Sequence, residues 1–264
     1  MMKGLKLYDK ILFLLNSFSG ILLLLSYLLQ YIPPSKFPLL SVLSLGVPLL
    51  LIINVLFFVY WLLKLKRQVL LSLIILLVGF KYLSSLYNFS GEESESEVNS
   101  ISILNYNVRL FNAFNWSPSK TIREDIVEFL ETKQPDIITL QEYRQGIPVI
   151  LEDYFDYNAS YIKNIRGGQV IYSKFPIVNA GSLEFPKTFN NAIFVDLKIK
   201  QDTVRVYNLH LQSTGIKPDV ESLKKEDSQN LIIGLASTFK KQQVQAEILL
   251  KHMKDCPYKI IISG

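Results

Sequence analysis

Two hydrophobic rhythms divide this chain. Up to about residue 90 the apolar residues come in long unbroken runs, and beyond it they alternate with polar residues or recur at helical spacing. A helix that crosses a bilayer needs about 20 mostly apolar residues. Three runs meet that length: Ile11 to Ile32, closed by Pro33-Pro34; Pro38 to Leu63; and Val69 to Phe89, interrupted by Lys81. Tyr60, Trp61, Tyr82 and Tyr87 sit near their ends, where aromatic residues favour the membrane interface. The first run is too long for a signal-peptide core and no small-x-small cleavage pattern follows it, so it reads as an uncleaved anchor.

After residue 100 the rhythm shortens. "ISILNYNV" (101–108) alternates and predicts a strand. "SPSKTIREDIVEFLETKQ" (117–134) carries Ile122, Ile126, Phe129 and Leu130 at helical spacing, opens on Ser-Pro and stops before Pro135. "DIITLQE" (136–142) predicts a buried strand that ends on a carboxylate. "GGQVIYSKFPI" (167–177), "NAIFVDLKI" (191–199) and "TVRVYNLHL" (203–211) predict further strands. "LASTFKKQQVQAEILLKHM" (235–253) predicts a helix, and "YKIIISG" (258–264) one more strand. Strands outnumber helices and most connections are short, which favours an α/β sandwich of sheets covered by helices. The expected organisation is an anchor of three transmembrane helices over 1–90, an acidic linker "SGEESESEVNS" from about 91 to 100, and a globular domain over 101–264.

Charge follows the same division. Residues 1–90 hold eight Lys/Arg against one Asp, a net of +7, and residues 91–264 hold twenty against twenty-two, a net of −2, giving the overall +5. The basic pI therefore belongs to the apolar part, and the totals give no sign of a nucleic-acid-binding face on the globular part. Lys3, Lys6 and Lys10 precede the first span, and Lys64, Lys66 and Arg67 follow the second, while the first loop holds only Lys36. The positive-inside rule then puts the N-terminus in the cytoplasm, and three crossings put the globular domain outside, in a multi-pass cell-membrane protein whose partner is the lipid bilayer. The single cysteine, Cys256, excludes an intrachain disulfide and a cysteine-based metal site.

Three polar residues mark the ends of buried-looking strands: Asn107 in "LNYNVR", Glu142 in "TLQEY" and His210 in "YNLHLQS". Singly, each has an ordinary reading as a turn residue, a solvated carboxylate or a structural imidazole. Strand ends of an α/β sandwich converge on one face, where an amide, a carboxylate and an imidazole together suit a hard cation and a phosphate. The only other histidine, His252, lies on a Lys-rich helix and reads as surface. Arg166 and Lys240-Lys241 read as solvated charges.

The ordered blocks "LNYNVR", "QPDIITLQE", "GGQVIYSKFPI", "VRVYNLHLQS" and "QAEILL" resemble the endonuclease/exonuclease/phosphatase family, the fold of the DNase I-like nucleases, neutral sphingomyelinases and inositol-polyphosphate 5-phosphatases. The resemblance covers 101–264 and implies a four-layer α/β sandwich of the DNase I-like type. It also implies a metal-dependent hydrolase of phosphate esters, diester or monoester, in which Glu142 binds Mg²⁺ (or Mn²⁺), Asn107 places the metal or its water, and His210 contacts the scissile phosphate. The family continues with Gly-Asp-x-Asn and later an Asp-His pair. This sequence ends "YKIIISG", on the glycine. On that comparison the expectation is an incomplete sandwich that is an inactive fragment by itself. The alternative is a non-catalytic membrane protein with a degenerate DNase I-like binding domain. The substrate, nucleic acid or phospholipid in kind, stays open.

Overall fold

A computed structural model describes residues 5–80, 84, 100–144, 149–159, 168–216 and 228–264. The chain forms two compact units, Met1–Ser94 with Thr214–Gln243, and Glu95–Ser213 with Val244–Gly264.

In the first unit the apolar runs become α1 (Leu7–Ser26), α2 (Pro38–Leu43), α3 (Val47–Leu63) and α4 (Val69–Val78). Two helical stretches among the described residues, Leu7–Tyr31 and Pro38–Leu63, are long and apolar enough to cross a membrane, rather than the three expected. The second is not one straight rod: a 3₁₀ turn at Ser44–Gly46 joins α2 to α3. The predicted third span is a ten-residue helix, and its continuation through Lys81, Tyr82 and Tyr87 lies outside the described residues, as does the acidic linker. α1, α3 and α4 pack through Leu23, Val47, Leu51 and Ile75. Most of their remaining large apolar side chains face outward, Leu56 being 63% exposed. The start of α1 lies beside the end of α3, because Asp9 Oδ1 pairs with Lys64 Nζ and accepts from the Tyr60 hydroxyl, each at 2.7 Å. Polar side chains inside this bundle join helices: the Ser72 hydroxyl donates to Asn16 Oδ1 at 2.9 Å. At the other end Gly79 leaves room for Tyr27, whose hydroxyl donates to Ile75 O at 3.2 Å.

The second unit holds two four-stranded sheets. One has the order β1-β2-β4-β3 and the other β5-β6-β7-β8, where β1 is Ile103–Asn107, β2 Ile137–Tyr143, β3 Phe155–Asn158, β4 Gly168–Ser173, β5 Ile177–Ser182, β6 Asn191–Ile199, β7 Asp202–His210 and β8 Lys259–Ser263. Two pairs are parallel, β1 with β2 and β7 with β8, and each is bridged by a helix. α5 (Ile122–Lys133) makes the first crossover and α6 (Ser228–Lys254) the second. α5 stops at Gln134, which turns left-handed (φ 43°) before Pro135, a residue that disfavours a helical neighbour.

Three apolar clusters give the layers. Ile126 and Leu130 of α5 pack on Ile138, Leu140, Val170 and Tyr172 of the first sheet. Ile137 and Ile171 meet Ile193, Val195, Leu197 and Val206 between the sheets. Leu249 of α6 covers Phe194 and Tyr207 on the far face of the second sheet, with Met253 beside it. The result is mixed α/β with two stacked sheets covered by helices. β6 and β7 are buried on both faces for this reason, although their alternating sequence suggests one wet face. The segment expected as one strand over 167–177 is split. Lys174 to Pro176 carries the chain from β4 in one sheet to β5 in the other, since proline cannot donate to a ladder.

Candidate functional site

The parallel register aligns Asn107 with Gln141, one residue before Glu142, so the first sheet brings an amide and a carboxylate to the same strand end. Glu142 sits at an irregularity in the β2–β4 pairing between Leu140 and Tyr143, with φ 50°. A bulge of this kind re-aims one side chain out of the pleat. In β2 all residues but Glu142 are buried, and its side chain keeps 30% of its surface. That answers how a core strand ends on a carboxylate: the bulge turns it toward solvent while Gln141 and Tyr143 stay inside.

The three expected residues meet. Asn107 Nδ2 donates to Glu142 Oε1 at 3.0 Å, and His210 Nε2 lies 3.7 Å from the same oxygen. Burial pushes the His210 imidazole below its usual pKa, and the facing Glu142 carboxylate pulls part of the way back. Asn107 Oδ1 accepts the Arg109 backbone N–H at 3.0 Å, which fixes the amide.

A polar lattice beneath the site, buried at Thr139, Gln141, Gln169 and Asn208, brings the sheet ends together. Gln141 Nε2 donates to Asn105 Oδ1 at 2.7 Å and across the sandwich to Asn208 Oδ1 at 2.6 Å. Asn208, fully buried in β7, donates from Nδ2 to the carbonyls of Leu140 and Val170 at 2.8 and 3.1 Å. Gln169 Nε2 reaches Asn208 O at 2.8 Å, and Ser263 Oγ reaches Thr139 Oγ1 at 2.9 Å. These residues are absent from the sequence-derived site. The one signal of Gln141, Gln169 and Asn208, all buried, was a polar side chain within an apolar strand, which has to find partners because burying it alone is costly. Gly264, next to Ser263, lies so near Leu209 that an added Cβ would come within 2.4 Å of the Leu209 carbonyl oxygen.

The loop after Asn107 is unusual. Arg109, Leu110, Phe111 and Asn112 all have left-handed φ, between 44° and 61°. Each costs roughly 1–2 kcal/mol for a non-glycine residue, so the loop persists only because neighbours hold it. Phe111 N donates to Val108 O at 2.8 Å and its ring packs edge-on to Tyr143 at 5.4 Å. The Asn112 side chain accepts from Ser117 N and donates to the carbonyls of Ser117 and Ser119. The loop sets the Arg109 guanidinium over Trp116, 4.5 Å from the ring centre.

The other residues weighed from sequence lie elsewhere. His252 is not a surface residue: it is half-buried, its Nδ1 2.7 Å from the Tyr207 hydroxyl and its ring 4.9 Å from that of Phe194. Its helix turns it onto the second sheet, which composition alone did not reveal. Lys240 and Lys241 are exposed as expected, and Arg166 lies outside the described residues.

The donor set suits a hard cation that keeps several of its waters. One part-exposed carboxylate with an amide beside it matches Mg²⁺, which is usually held through one or two carboxylates. Among the described residues no group of three or more His, Cys, Asp or Glu gathers into a closed cage.

The profile of the Endonuclease/Exonuclease/phosphatase family matches residues 104–250, more than half of the chain. This chain belongs to that family. Residues 9–86 match a domain of unknown function, DUF8431. Similar solved structures include D. rerio TDP2 complexed with single-strand DNA product, at 17% identity and TM-score 0.41, with 61% of this chain and 58% of that one covered. Another is an endonuclease/exonuclease/phosphatase from Beutenbergia cavernae, at 16% identity and TM-score 0.34, covering 50% and 43%. A third is ANGEL2, a 2′,3′-cyclic phosphatase, at 18% identity and TM-score 0.34, covering 42% and 40%. The chain spans less than two thirds of the length of each of these structures. No curated protein sequence matches.

Proposed function

We propose that this chain belongs to a membrane-anchored, divalent-metal-dependent phosphoesterase whose globular domain works outside the cytoplasm. The observation that carries the chemistry is the meeting of Asn107, Glu142 and His210 at one end of both sheets. Glu142, with Asn107 beside it, would hold Mg²⁺ or Mn²⁺. When bound, that cation neutralises charge on a phosphoryl group and polarises its oxygens. Asn107 keeps the carboxylate in one rotamer. His210, kept neutral by burial, offers Nε2 to a phosphate oxygen of a diester or monoester.

Two long apolar helices with outward-facing Leu, Ile and Phe side chains support a bilayer anchor. The Asp9–Lys64 pair supports the same-side reading of the two basic segments, since it joins the start of α1 to the end of α3. The reading keeps the third apolar run as a third crossing.

The test is Mg²⁺-dependent hydrolysis of bis(p-nitrophenyl) phosphate by the protein as its gene encodes it. The Glu142→Ala variant should lose that activity. Equal turnover by wild type and variant would remove Glu142 from the site, and none by either would leave the domain a non-catalytic member of its family.

A further inference from the structure

The cavity between the end of β1 and the left-handed loop is separate from the carboxylate but shares a wall with it. It has a volume of about 280 Å³ and is lined by Tyr106, Asn107, Arg109, Asn112, Trp116 and Ser117 among others. That size is at the small end of ligand pockets and suits a phosphate with a small appendage. Arg109 forms no ion pair among the described residues, whereas Arg205 is bound by Asp196 through two bonds. The Arg109 guanidinium sits over the Trp116 ring, and among the described residues its N–H groups make no side-chain hydrogen bond. A guanidinium fixed in this way is pre-organised for the paired oxygens of a phosphate. The strained backbone argues that this placement is built. Four left-handed residues are kept in register by the Asn112 side chain, and the first of them also orients Asn107.

We propose that this cavity is a second phosphate subsite, in which Arg109, backed by Trp116, receives a phosphate group next to the one presented to Glu142 and His210. The substrate would then carry two phosphates, as a nucleotide backbone or a phosphorylated inositol headgroup does. The assignment of the pocket to substrate rests on the phosphoesterase reading above, while the binding of phosphate by Arg109 does not.

The experiment titrates pyrophosphate into the detergent-solubilised chain with divalent metal chelated, following tryptophan emission. A saturable change is expected in wild type. It should be absent in Trp116→Phe, which leaves Trp61 as the only reporter. Its midpoint should rise about tenfold or more in Arg109→Gln, with Arg109→Lys between the two. Glu142→Ala should not weaken it, which separates this proposal from the fate of the catalytic one. An Arg109→Gln midpoint equal to wild type, with circular dichroism unchanged, would overturn the proposal, as would emission indifferent to pyrophosphate. Competition by 5′-phosphorylated dithymidylate assigns the second phosphate to a nucleotide backbone. Competition by inositol 1,4-bisphosphate assigns it to a headgroup. Failure of both to compete overturns the substrate role.

Discussion

The amide of Asn107 joins two features: its Nδ2 donates to Glu142 Oε1 and its Oδ1 accepts the N–H of Arg109, each at 3.0 Å. One side chain thus ties the carboxylate of β2 to the strained loop after β1. Asn107→Ala is expected to free both. Metal-dependent kcat/KM on a diester should fall by about 10–100-fold, the size of effect seen when the hydrogen-bond partner of a metal ligand is removed. A variant within twofold of wild type would mean that Glu142 needs no such support.

Asn208 is the keystone of the lattice between the sheets, with its amide shared among Leu140, Val170, Gln141 and Gln169. Asn208→Ala strands several buried polar groups, each costing about 1–3 kcal/mol when unsatisfied. Thermal unfolding should begin markedly earlier. Activity should fall in step, because His210 is two residues away on the same strand.

The pair Arg205–Asp196 lies on the far face of the second sheet, with contacts of 2.6 and 2.7 Å and both residues buried. Breaking such a pair from one side costs about 3–5 kcal/mol, because it leaves a buried charge alone. Asp196→Ala should therefore destabilise more than the double variant Asp196→Leu/Arg205→Leu, as read by melting temperature. The reverse order would show that the pair itself carries the stability.

His252 makes stability depend on pH. Burial, helped by the nearby positive charge of Arg205, lowers its pKa in the folded state, against the opposing pull of Asp196 and Asp255. The unfolded chain then binds a proton that the folded chain resists. Its contribution is complete above about pH 6.5 and is lost as pH falls through the folded pKa. Melting temperature should drop from neutral to mildly acidic pH, and His252→Gln should flatten that slope. Asp196 acts lower. Burial raises its pKa, but the hydrogen bonds from Arg205 and Asn179 outweigh this and hold it below the ordinary carboxylate value. Its contribution disappears only below about pH 4.

Cys256 is the single cysteine of the chain and is half-buried, so it reports which side of the membrane the globular unit occupies. Labelling of intact cells with a membrane-impermeant maleimide should modify it, and a Cys256→Ser control should remain blank. Labelling only after the membrane is permeabilised would place the domain in the cytoplasm and mean an even number of crossings.

Apolar patterning and helical spacing foretold β1, β2, β6, β7, α5 and most of α6, because those signals are local, whereas the burial of both faces of β6 and β7 came only with the stacked sheets and their covering helix. Asn107, Glu142 and His210 were legible for the same reason: a polar residue that closes an apolar strand stands out locally. Other features were decided by contacts distant in sequence. Pro176 hands the chain from one sheet to the other, and the bulge at Glu142 depends on the pairing of β2 with β4. The buried amides of Gln141 and Asn208, 67 residues apart, look out of place in their own strands until the sheets stack. The turn of His252 onto Tyr207 follows only once α6 covers β6 and β7. Nothing in "VRLFN" announces four left-handed residues, since none is glycine. That conformation is held by side-chain bonds from Asn112 and by the packing of Phe111 on Tyr143, so only the assembled tertiary structure could select it.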